Sequence, residues 1–384
     1  MALAHIPRRT IMPERGYGGC GRYVQRAGEI DRIGEHLVRF GGSVLIIEDP
    51  FVANAFGERI DKSLTAAGVS ARRELFGGEC WQGEVDRLIE AIGSGGDFVA
   101  VCGIGGGKTI DTAKLVATEL NLRLISVPTI ASTDAPCSGL AMRYFEDGST
   151  DGPVYMTYHP DTVIVDSEIV VSAPVRFLVA GIGDALSTWY EARSNADTRS
   201  KNYIGGGYHM PLVGMAVARQ CHDTLMRDAR GALMAAQAGQ LTPAVENIIE
   251  ANTLLSGLGF ENCACSAAHG IHNGLSAIPE KHEMLHGEKV AFGTLCLLVM
   301  EDRPQAEIDE AMAFCLDVGL PTTLADMNMA GVSDASLRAG AEAAMDPSEP
   351  THATAGEVTA EAIFAAIKAV DAMATALKAQ RTQA

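Results

Sequence analysis

The sequence predicts an α/β protein in two parts, with a parallel-sheet nucleotide-binding domain first and an all-helical domain second. Two observations predict this. Short β-rich apolar runs alternate with amphipathic helical stretches up to about residue 162, and long alanine- and leucine-rich periodic segments follow from about residue 167. We place the domains at 1–172 and 173–384. The cleft between two such domains is where we expect ligands to bind.

The hydrophobic pattern locates the individual elements. In the first half it predicts strands at 43–48, 98–102, 123–127 and 162–165, with helices such as 84–92 and 109–120 between them. Short apolar runs separated by helices are typical of parallel strands that are buried on both faces. In the second half it predicts helices at 175–196, 210–228, 244–258, 288–301, 305–318 and 358–377. Apolar residues at three- and four-residue spacing indicate that each of these helices buries one face.

The composition excludes several classes of protein. A formal net charge of −18 over 384 residues would repel nucleic-acid phosphates and anionic membranes, so we expect neither as a partner. Residues 1–15 match no known pattern and lack the apolar run of a signal peptide, and no stretch is long enough to cross a membrane. The nine scattered cysteines, Cys263 and Cys265 among them, fit buried reduced thiols in a cytoplasmic protein better than disulfides or a zinc site.

A glycine-rich loop follows the predicted strand 98–102 and leads into a helix. Glycines at 103 and 105–107 precede Lys108, so backbone N–H groups can approach phosphate oxygens at a helix N-terminus. A Walker A loop would need glycine where Cys102 stands, and a G-x-G-x-x-G fingerprint would need glycine in place of Lys108. Neither motif fits, but the composition favours a pyrophosphate cradle over an unliganded turn.

Asp49 directly follows the predicted strand 43–48. An acidic residue at the end of a strand can bind the adenosine ribose hydroxyls, and Glu48 and Asp49 together would repel a 2′-phosphate, so NAD is favoured over NADP. Taken alone, an aspartate before Pro50 is more often a helix cap. Asp49 becomes a cofactor candidate because of the glycine loop nearby.

Four of the ten histidines are concentrated in a short region, at His269, His272, His282 and His286. Asp184, bracketed by small residues, lies on the predicted helix 175–196. Two imidazoles and one carboxylate leave a coordination position open, as a catalytic metal site requires, and they suit either Zn²⁺ or Fe²⁺. Any one of these histidines alone would more often be a core or helix-end residue, but the concentration favours a metal site.

Five motifs occur in the order that is known from one family. They are GGGKTIDTAK at 105–114, PTIASTDAPCS at 128–138, GIGDAL at 181–186, AHGIHNG at 268–274 and HGEKVAFG at 286–293. From about residue 28 onward the chain resembles the glycerol dehydrogenases of the iron-containing (group III) alcohol dehydrogenase superfamily. The resemblance implies the two-domain fold that this superfamily shares with dehydroquinate synthase.

The resemblance also implies a function. It implies NAD-dependent oxidation of glycerol to dihydroxyacetone, or of related vicinal diols, by hydride transfer from a zinc-bound alkoxide. It implies a homo-oligomer, often of eight subunits. One zinc ion per subunit would be bound by Asp184, His269 and His286, and Thr188 stands where iron-using members commonly have a histidine, which favours zinc over iron. The implied cofactor contacts are Asp49, Gly105, Gly106, Gly107, Lys108, Thr109, Thr129, Ser132, Ser138, Leu140 and Tyr144.

Two further residues receive catalytic roles. The resemblance makes Asp134 the substrate-positioning carboxylate, which would accept a hydrogen bond from a hydroxyl next to the reacting one; capping of its own turn is the alternative. His272 lies three residues after His269 and thus on nearly the same helix face. It either relays the released proton through water or orients the metal ligands.

Other functions remain open at this point. A dehydroquinate synthase-like lyase would bind a phosphorylated substrate and need several cations, but mainly Arg193, Lys281 and Lys289 are near the motifs. A hydroxycarboxylate or glycerol-phosphate dehydrogenase would place an anion against Asp134, which like charge disfavours. A catalytically silent NAD-binding or scaffolding protein would not need an intact set of metal ligands.

Overall fold

The structure, a computed structural model, describes residues 14–93, 97–278 and 283–383. His282 and Lys281, which we named from the sequence, lie outside these ranges, as do residues 1–13.

The first half of the chain forms an α/β sheet domain. Its strands are β1 (Tyr23–Arg26), β2 (Ser43–Glu48), β3 (Ala71–Leu75), β4 (Phe98–Gly105), β5 (Arg123–Pro128), β6 (Leu140–Tyr144), β7 (Thr150–Tyr155) and β8 (Thr162–Asp166). Six of the described strands form one parallel sheet in the order β1-β8-β5-β4-β2-β3, while β6 and β7 pair as an antiparallel hairpin. The parallel α/β class that the sequence predicts is confirmed.

Helices cover the sheet and make up the second half. Those of the first half are α1 (Ile33–Leu37), α2 (Pro50–Ala67), α3 (Gln82–Ile92), α4 (Gly107–Leu120) and α5 (Ser167–Ser172). Those of the second half are α6 (Val175–Thr198), α7 (Leu212–Gln237), α8 (Pro243–Glu250), α9 (Ser256–Cys263), α10 (Ala267–Ser276), α11 (His286–Met300), α12 (Gln305–Val318), α13 (Asp334–Ala343) and α14 (Ala360–Gln383). The helical character predicted for this part is confirmed, while the boundary at 172/173 stays a prediction.

The predicted strands all form, but the sequence pattern missed the edges of the sheet. Strands β1 and β3 lie at its two ends, and their sequences YVQR and ARREL contain no apolar run. An edge strand has a solvent-exposed side, so it can carry polar residues that a central parallel strand cannot. The segment predicted as a helix at 244–258 is also more complex, because a turn of π-helix at Ala251–Leu255 separates α8 from α9.

Glycines allow the two central helices of the second half to touch. A Cβ on Gly183 of α6 would lie 2.4 Å from the carbonyl oxygen of Gly287 on α11, and a Cβ on Gly287 would lie 1.9 Å from that of Ala180. Neither distance can be tolerated, so both positions need glycine for this close crossing. The crossing brings the middle of α6 next to the start of α11.

All nine cysteines are free, and Cys263 and Cys265 are buried, in agreement with the sequence-based expectation. Within the described ranges, none of the helices combines the length and apolarity needed to cross a membrane.

We expect Gly183→Ala to destabilise the protein by about 1–3 kcal/mol, because the added methyl group must push α6 and α11 apart. Urea denaturation of the metal-free protein measures this. The matched control is Gly231→Ala on α7, where a Cβ meets open space; helix propensity predicts no loss, or a gain of up to about 1 kcal/mol. Equal stability of the two variants would contradict the close crossing.

Candidate active site

The glycine-rich loop lies at the carboxyl end of the sheet, at the point where strand order reverses. From β2 the chain continues to β3 on one side, and from β4 it continues to β5 on the other, although β2 and β4 are neighbours. Ligands of open α/β sheets bind outside the strand ends at such a switch point. The loop from Gly105 into α4 leaves β4 there.

Asp49 and Thr129 adjoin this loop, as a shared cofactor site requires. A Cβ on Gly105 would lie 2.6 Å from Asp49 Oδ2, and the backbone N–H of Thr129 donates to the Gly105 carbonyl at 3.0 Å. The other oxygen of Asp49 caps α2 by accepting from Val52 N at 2.9 Å. Asp49 can therefore cap α2 with Oδ1 and still offer Oδ2 to a cofactor.

Glu48 contributes less to the site than its position in the sequence suggests. Its carboxylate is buried and pairs with Arg73 at 2.6 Å, so its negative charge is compensated. Repulsion of a 2′-phosphate would therefore depend on Asp49.

The remaining cofactor candidates differ in their surroundings. The ammonium group of Lys108 pairs with Glu79 at 2.5 Å and lies 4.8 Å from the ring centre of Tyr144. Ser132 is half-buried in the loop that follows β5, whereas Ser138 is fully buried and donates to the Ala135 carbonyl at 3.0 Å.

Lys114, which the sequence did not single out, ties the hairpin to this region. It is completely buried, and its Nζ donates to the carbonyl oxygens of Ala135 and Leu140 at 2.7 and 2.5 Å. Lys114 and Lys108 thus link Leu140 and Tyr144 of the hairpin to the helix that follows the glycine loop.

The three expected metal ligands come together from three helices. Asp184 lies in the middle of α6, His269 on α10, and His286 is the first residue of α11. Their ligand atoms all lie within 4.8 Å of one another. Asp184 Oδ1 lies 3.1 Å from Nε2 of His286 and 3.6 Å from Nε2 of His269.

Glu191 fixes the orientation of His269. Its Oε2 lies 2.7 Å from Nδ1 of the imidazole, and its Oε1 accepts from the backbone N–H groups of Ser266 and His269 at 2.7 and 3.2 Å. An ionised carboxylate only accepts, so Nδ1 must carry the proton of a neutral imidazole. In a neutral ring, which is the form that binds a metal, Nε2 then carries the free lone pair, and it faces Asp184.

A longer chain of hydrogen bonds fixes His286 in the same way. The side-chain amide of Asn273 donates to Glu349 at 2.7 Å, and its oxygen lies 2.8 Å from Nδ1 of His272. This arrangement puts the proton of His272 on Nδ1 and leaves its Nε2 to accept from Nδ1 of His286 at 3.1 Å. Burial, together with His286 and Lys289, lowers the pKa of His272, which keeps it neutral. Nε2 of His286 is therefore also free to bind a metal.

These residues fit a divalent metal ion. Asp184 is buried, and its Oδ1 has no hydrogen-bond partner among the described residues although two imidazole nitrogens face it. Burial opposes ionisation, but without a metal the positive charge that His286 and His269 carry when protonated outweighs it and lowers the pKa of Asp184. A cation bound between them would supply the same charge. A buried, ionised oxygen that accepts no hydrogen bond is costly unless a cation pairs with it.

A second group of possible ligands shares His269 but suits a metal poorly. Glu191, Cys265 and the Nδ1 side of His269 lie close together. Both oxygens of Glu191 are already used, and burial raises the pKa of the Cys265 thiol to about 11, so it is protonated at neutral pH. We therefore interpret Glu191 as a support for His269.

Asp134 lies beside the metal ligands, as expected. Its backbone N–H donates to Asp184 Oδ2 at 3.2 Å, and its Oδ2 accepts from the hydroxyl of Ser256 at 2.7 Å. Burial and the nearby charge of Asp184 raise the pKa of Asp134. The side chain of Asp134 therefore forms a hydrogen bond with α9 and does not cap the turn at Ala135–Cys137.

Two cations near the motifs, Arg193 and Lys289, have partners of their own among the described residues. Arg193 pairs with Glu307 at 2.7 Å, and Lys289 donates to the hydroxyl of Ser276 at 2.6 Å.

Besides Lys114, the sequence analysis missed two residues that contact His269 and Asp134, namely Glu191 and Ser256. Glu191 follows Asp184 by two helical turns and so lies on the same face of α6, a spacing that could have revealed it. Ser256 carries no comparable signal, because its place depends on the π-helical turn that precedes it.

We expect Glu191→Gln to weaken binding of a divalent metal ion, with zinc as the probe, by about 10- to 100-fold, because the neutral amide lacks the charge that holds Nδ1–H of His269. Competition with a chromogenic chelator measures the dissociation constant. Glu84→Gln is the control, since Glu84 is also buried but pairs with Arg87 in the sheet domain. The same zinc affinity in both variants would show that Glu191 does not support the site.

Comparison with known proteins identifies the family of the chain. Residues 20–167 match the family described as iron-containing alcohol dehydrogenase. The chain is 47% identical to a glycerol dehydrogenase of Thermotoga maritima over 91% of this chain and 95% of that one. A glycerol dehydrogenase of Pseudomonas putida is 44% identical, with 93% and 97% covered. The crystal structure of glycerol dehydrogenase from Schizosaccharomyces pombe has a TM-score of 0.93 at 36% identity, covering 97% and 94% of the two chains. The chain therefore belongs to the iron-containing alcohol dehydrogenase family, in the group that contains the glycerol dehydrogenases.

Proposed function

We propose that this protein oxidises glycerol to dihydroxyacetone with NAD as the hydride acceptor, and that it accepts related vicinal diols. One observation carries the proposal: the buried Oδ1 of Asp184 faces the Nε2 atoms of His269 and His286, next to Asp134. The glycerol dehydrogenases with 44–47% identity over nearly the whole chain support it.

We assign Asp184, His269 and His286 to one divalent metal ion, with zinc as its identity. When bound, the metal would act as a Lewis acid that lowers the pKa of a substrate hydroxyl. Three protein ligands leave a coordination position for that hydroxyl. Thr188 stands where a fourth, histidine ligand would favour iron, and its hydroxyl is engaged with Ser256 at 2.8 Å.

Asp134 would select the substrate. Its carboxylate can accept a hydrogen bond from the hydroxyl next to the reacting one, which a monohydric alcohol lacks. Two acidic side chains, Asp134 and Asp184, adjoin this position, and this disfavours hydroxycarboxylates and phosphates. These contacts favour the diol over the anionic and lyase alternatives.

For His272 we propose orientation of His286 and not proton relay. Its Nε2 accepts from Nδ1 of His286, and its Nδ1 is bonded to Asn273, so both ring nitrogens serve the support of that ligand. This is the way in which residues behind a metal site hold imidazole ligands in place.

The cofactor would occupy the carboxyl edge of the sheet. Asp49 would bind the adenosine ribose, and Gly105 to Thr109 with Thr129 would surround the pyrophosphate. Ser132, Ser138, Leu140 and Tyr144 stay proposals on the strength of the family resemblance. When bound, NAD supplies the acceptor for the hydride. The cytoplasmic location and the homo-oligomer, often of eight subunits in this family, are likewise proposals.

We expect purified protein to form NADH from glycerol and NAD, to lose this activity on chelation and to regain it with zinc more fully than with iron. Asp184→Ala should stay inactive after zinc is added, because it lacks the carboxylate ligand. Absorbance of NADH measures each step. If zinc-loaded protein turns over neither glycerol nor 1,2-propanediol, the polyol function is wrong, and hydroxy acids and phosphorylated substrates would be tested next.

A further inference from the structure

The helical segment from Pro243 to Cys263 changes its winding where it passes the active site. The π-helical turn at Ala251–Leu255 lies between α8 and α9. Such a turn contains more residues than an α-helical turn, so the residues after it are rotated to a different face. Asn252 lies within the turn and Ser256 directly after it, and both are completely buried.

Asn252 connects the turn to both parts of the active site. Its side-chain amide donates to the carbonyl oxygens of Ala131 and Leu178, at 3.0 and 3.1 Å. Ala131 belongs to the loop that leads to Asp134, and Leu178 to the first turns of α6, the helix of Asp184. The π-helical turn therefore holds the Asp134 loop in a fixed position relative to the metal ligands.

Ser256 lies at the centre of a buried chain of hydroxyl groups. Its Oγ is 2.7 Å from Asp134 Oδ2 and 2.8 Å from Thr188 Oγ1. Ser256 donates its single proton to Asp134, so Thr188 must donate to Ser256. The order of donation is Thr188 to Ser256 to Asp134.

Two glycines of α9 allow this close approach. A Cβ on Gly257 would lie 2.8 Å from the backbone oxygen of Asp134, and one on Gly259 would lie 2.3 Å from Thr188 Cγ2. A side chain at either position would push α9 away from Asp134 and Thr188. The backbone is thus built to bring the Ser256 hydroxyl within reach of the carboxylate.

We propose that Ser256 is a positioning residue for substrate selection, which holds Asp134 by Oδ2 so that Oδ1 can receive the hydroxyl next to the reacting one. The inference rests on the substrate role proposed for Asp134. It goes beyond that role because it makes the preference for vicinal diols depend on a residue that does not touch the substrate.

The test compares substrates with and without a neighbouring hydroxyl. We expect Ser256→Ala to lower kcat/KM for glycerol and 1,2-propanediol by roughly tenfold, because the hydrogen bond that holds Asp134 is lost. For 1-propanol, which has no second hydroxyl, kcat/KM should change by less than about twofold. A merely structural role would lower both by a similar factor.

The matched control is Thr253→Val, three residues earlier in the same segment. Thr253 is also completely buried, but its hydroxyl donates to the carbonyl of Ile249 at 2.7 Å and meets Tyr23 at 2.8 Å. This variant should not change the ratio of diol to monohydric activity. Melting temperature and zinc content establish that each variant is folded and loaded. Should Ser256→Ala not fold, Thr188→Val, which removes the donor to Ser256 at equal volume, should show the same selective loss to a smaller extent.

Asp134→Asn separates this inference from the function on which it rests. If Asp134→Asn keeps full activity toward glycerol, the substrate role of Asp134 itself is wrong. If Asp134→Asn removes the diol preference while Ser256→Ala and Thr188→Val retain it, only the role of Ser256 is overturned. The inference predicts that Ser256→Ala adds little to Asp134→Asn in the double variant, since both remove the same interaction.

Discussion

The buried carboxylate of Asp184 is the constraint on which the rest of the site depends. One of its oxygens faces two imidazole nitrogens and accepts no hydrogen bond among the described residues. Such an oxygen is costly in a protein interior unless a cation neutralises it. To present it, three helices must converge, and the glycines at 183 and 287 let α6 and α11 come close enough. The packing of α6 against α11 and the proposed metal site therefore both require glycine at positions 183 and 287.

Each of the three proposed metal ligands is held in place by a hydrogen bond with a neighbouring residue. Glu191 forms a hydrogen bond with Nδ1 of His269, and His272 forms one with Nδ1 of His286. Both Nε2 atoms therefore face Asp184 and can bind a metal. The backbone N–H of Asp134 donates to the second oxygen of Asp184. That bond joins the loop after the sheet to the helical part, and it places the proposed substrate-binding carboxylate next to the proposed metal site.

Much of the fold and part of the site could be predicted from the sequence, for identifiable reasons. Central strands such as 43–48 and the helix at 305–318 form with the predicted bounds, because burial on both faces, or on one helical face, leaves a clear pattern. The edge strands β1 and β3 leave no such pattern. The three proposed metal ligands could be named because their motifs are local, and the structure brings them together; Glu191 could have been found from helical spacing. Ser256 could not, since a π-helical turn breaks the periodicity on which such an argument depends.

The most direct test of this account is anomalous diffraction at the zinc edge from crystals of the zinc-loaded protein. We expect one strong peak per chain, about 2.0–2.2 Å from Asp184 Oδ1 and from Nε2 of His269 and His286. Loss of this peak in crystals of the Asp184→Ala variant would identify the carboxylate as a ligand. A peak between Glu191, Cys265 and Nδ1 of His269, or no peak in this cleft, would contradict the assignment of the metal site and the function that is built on it.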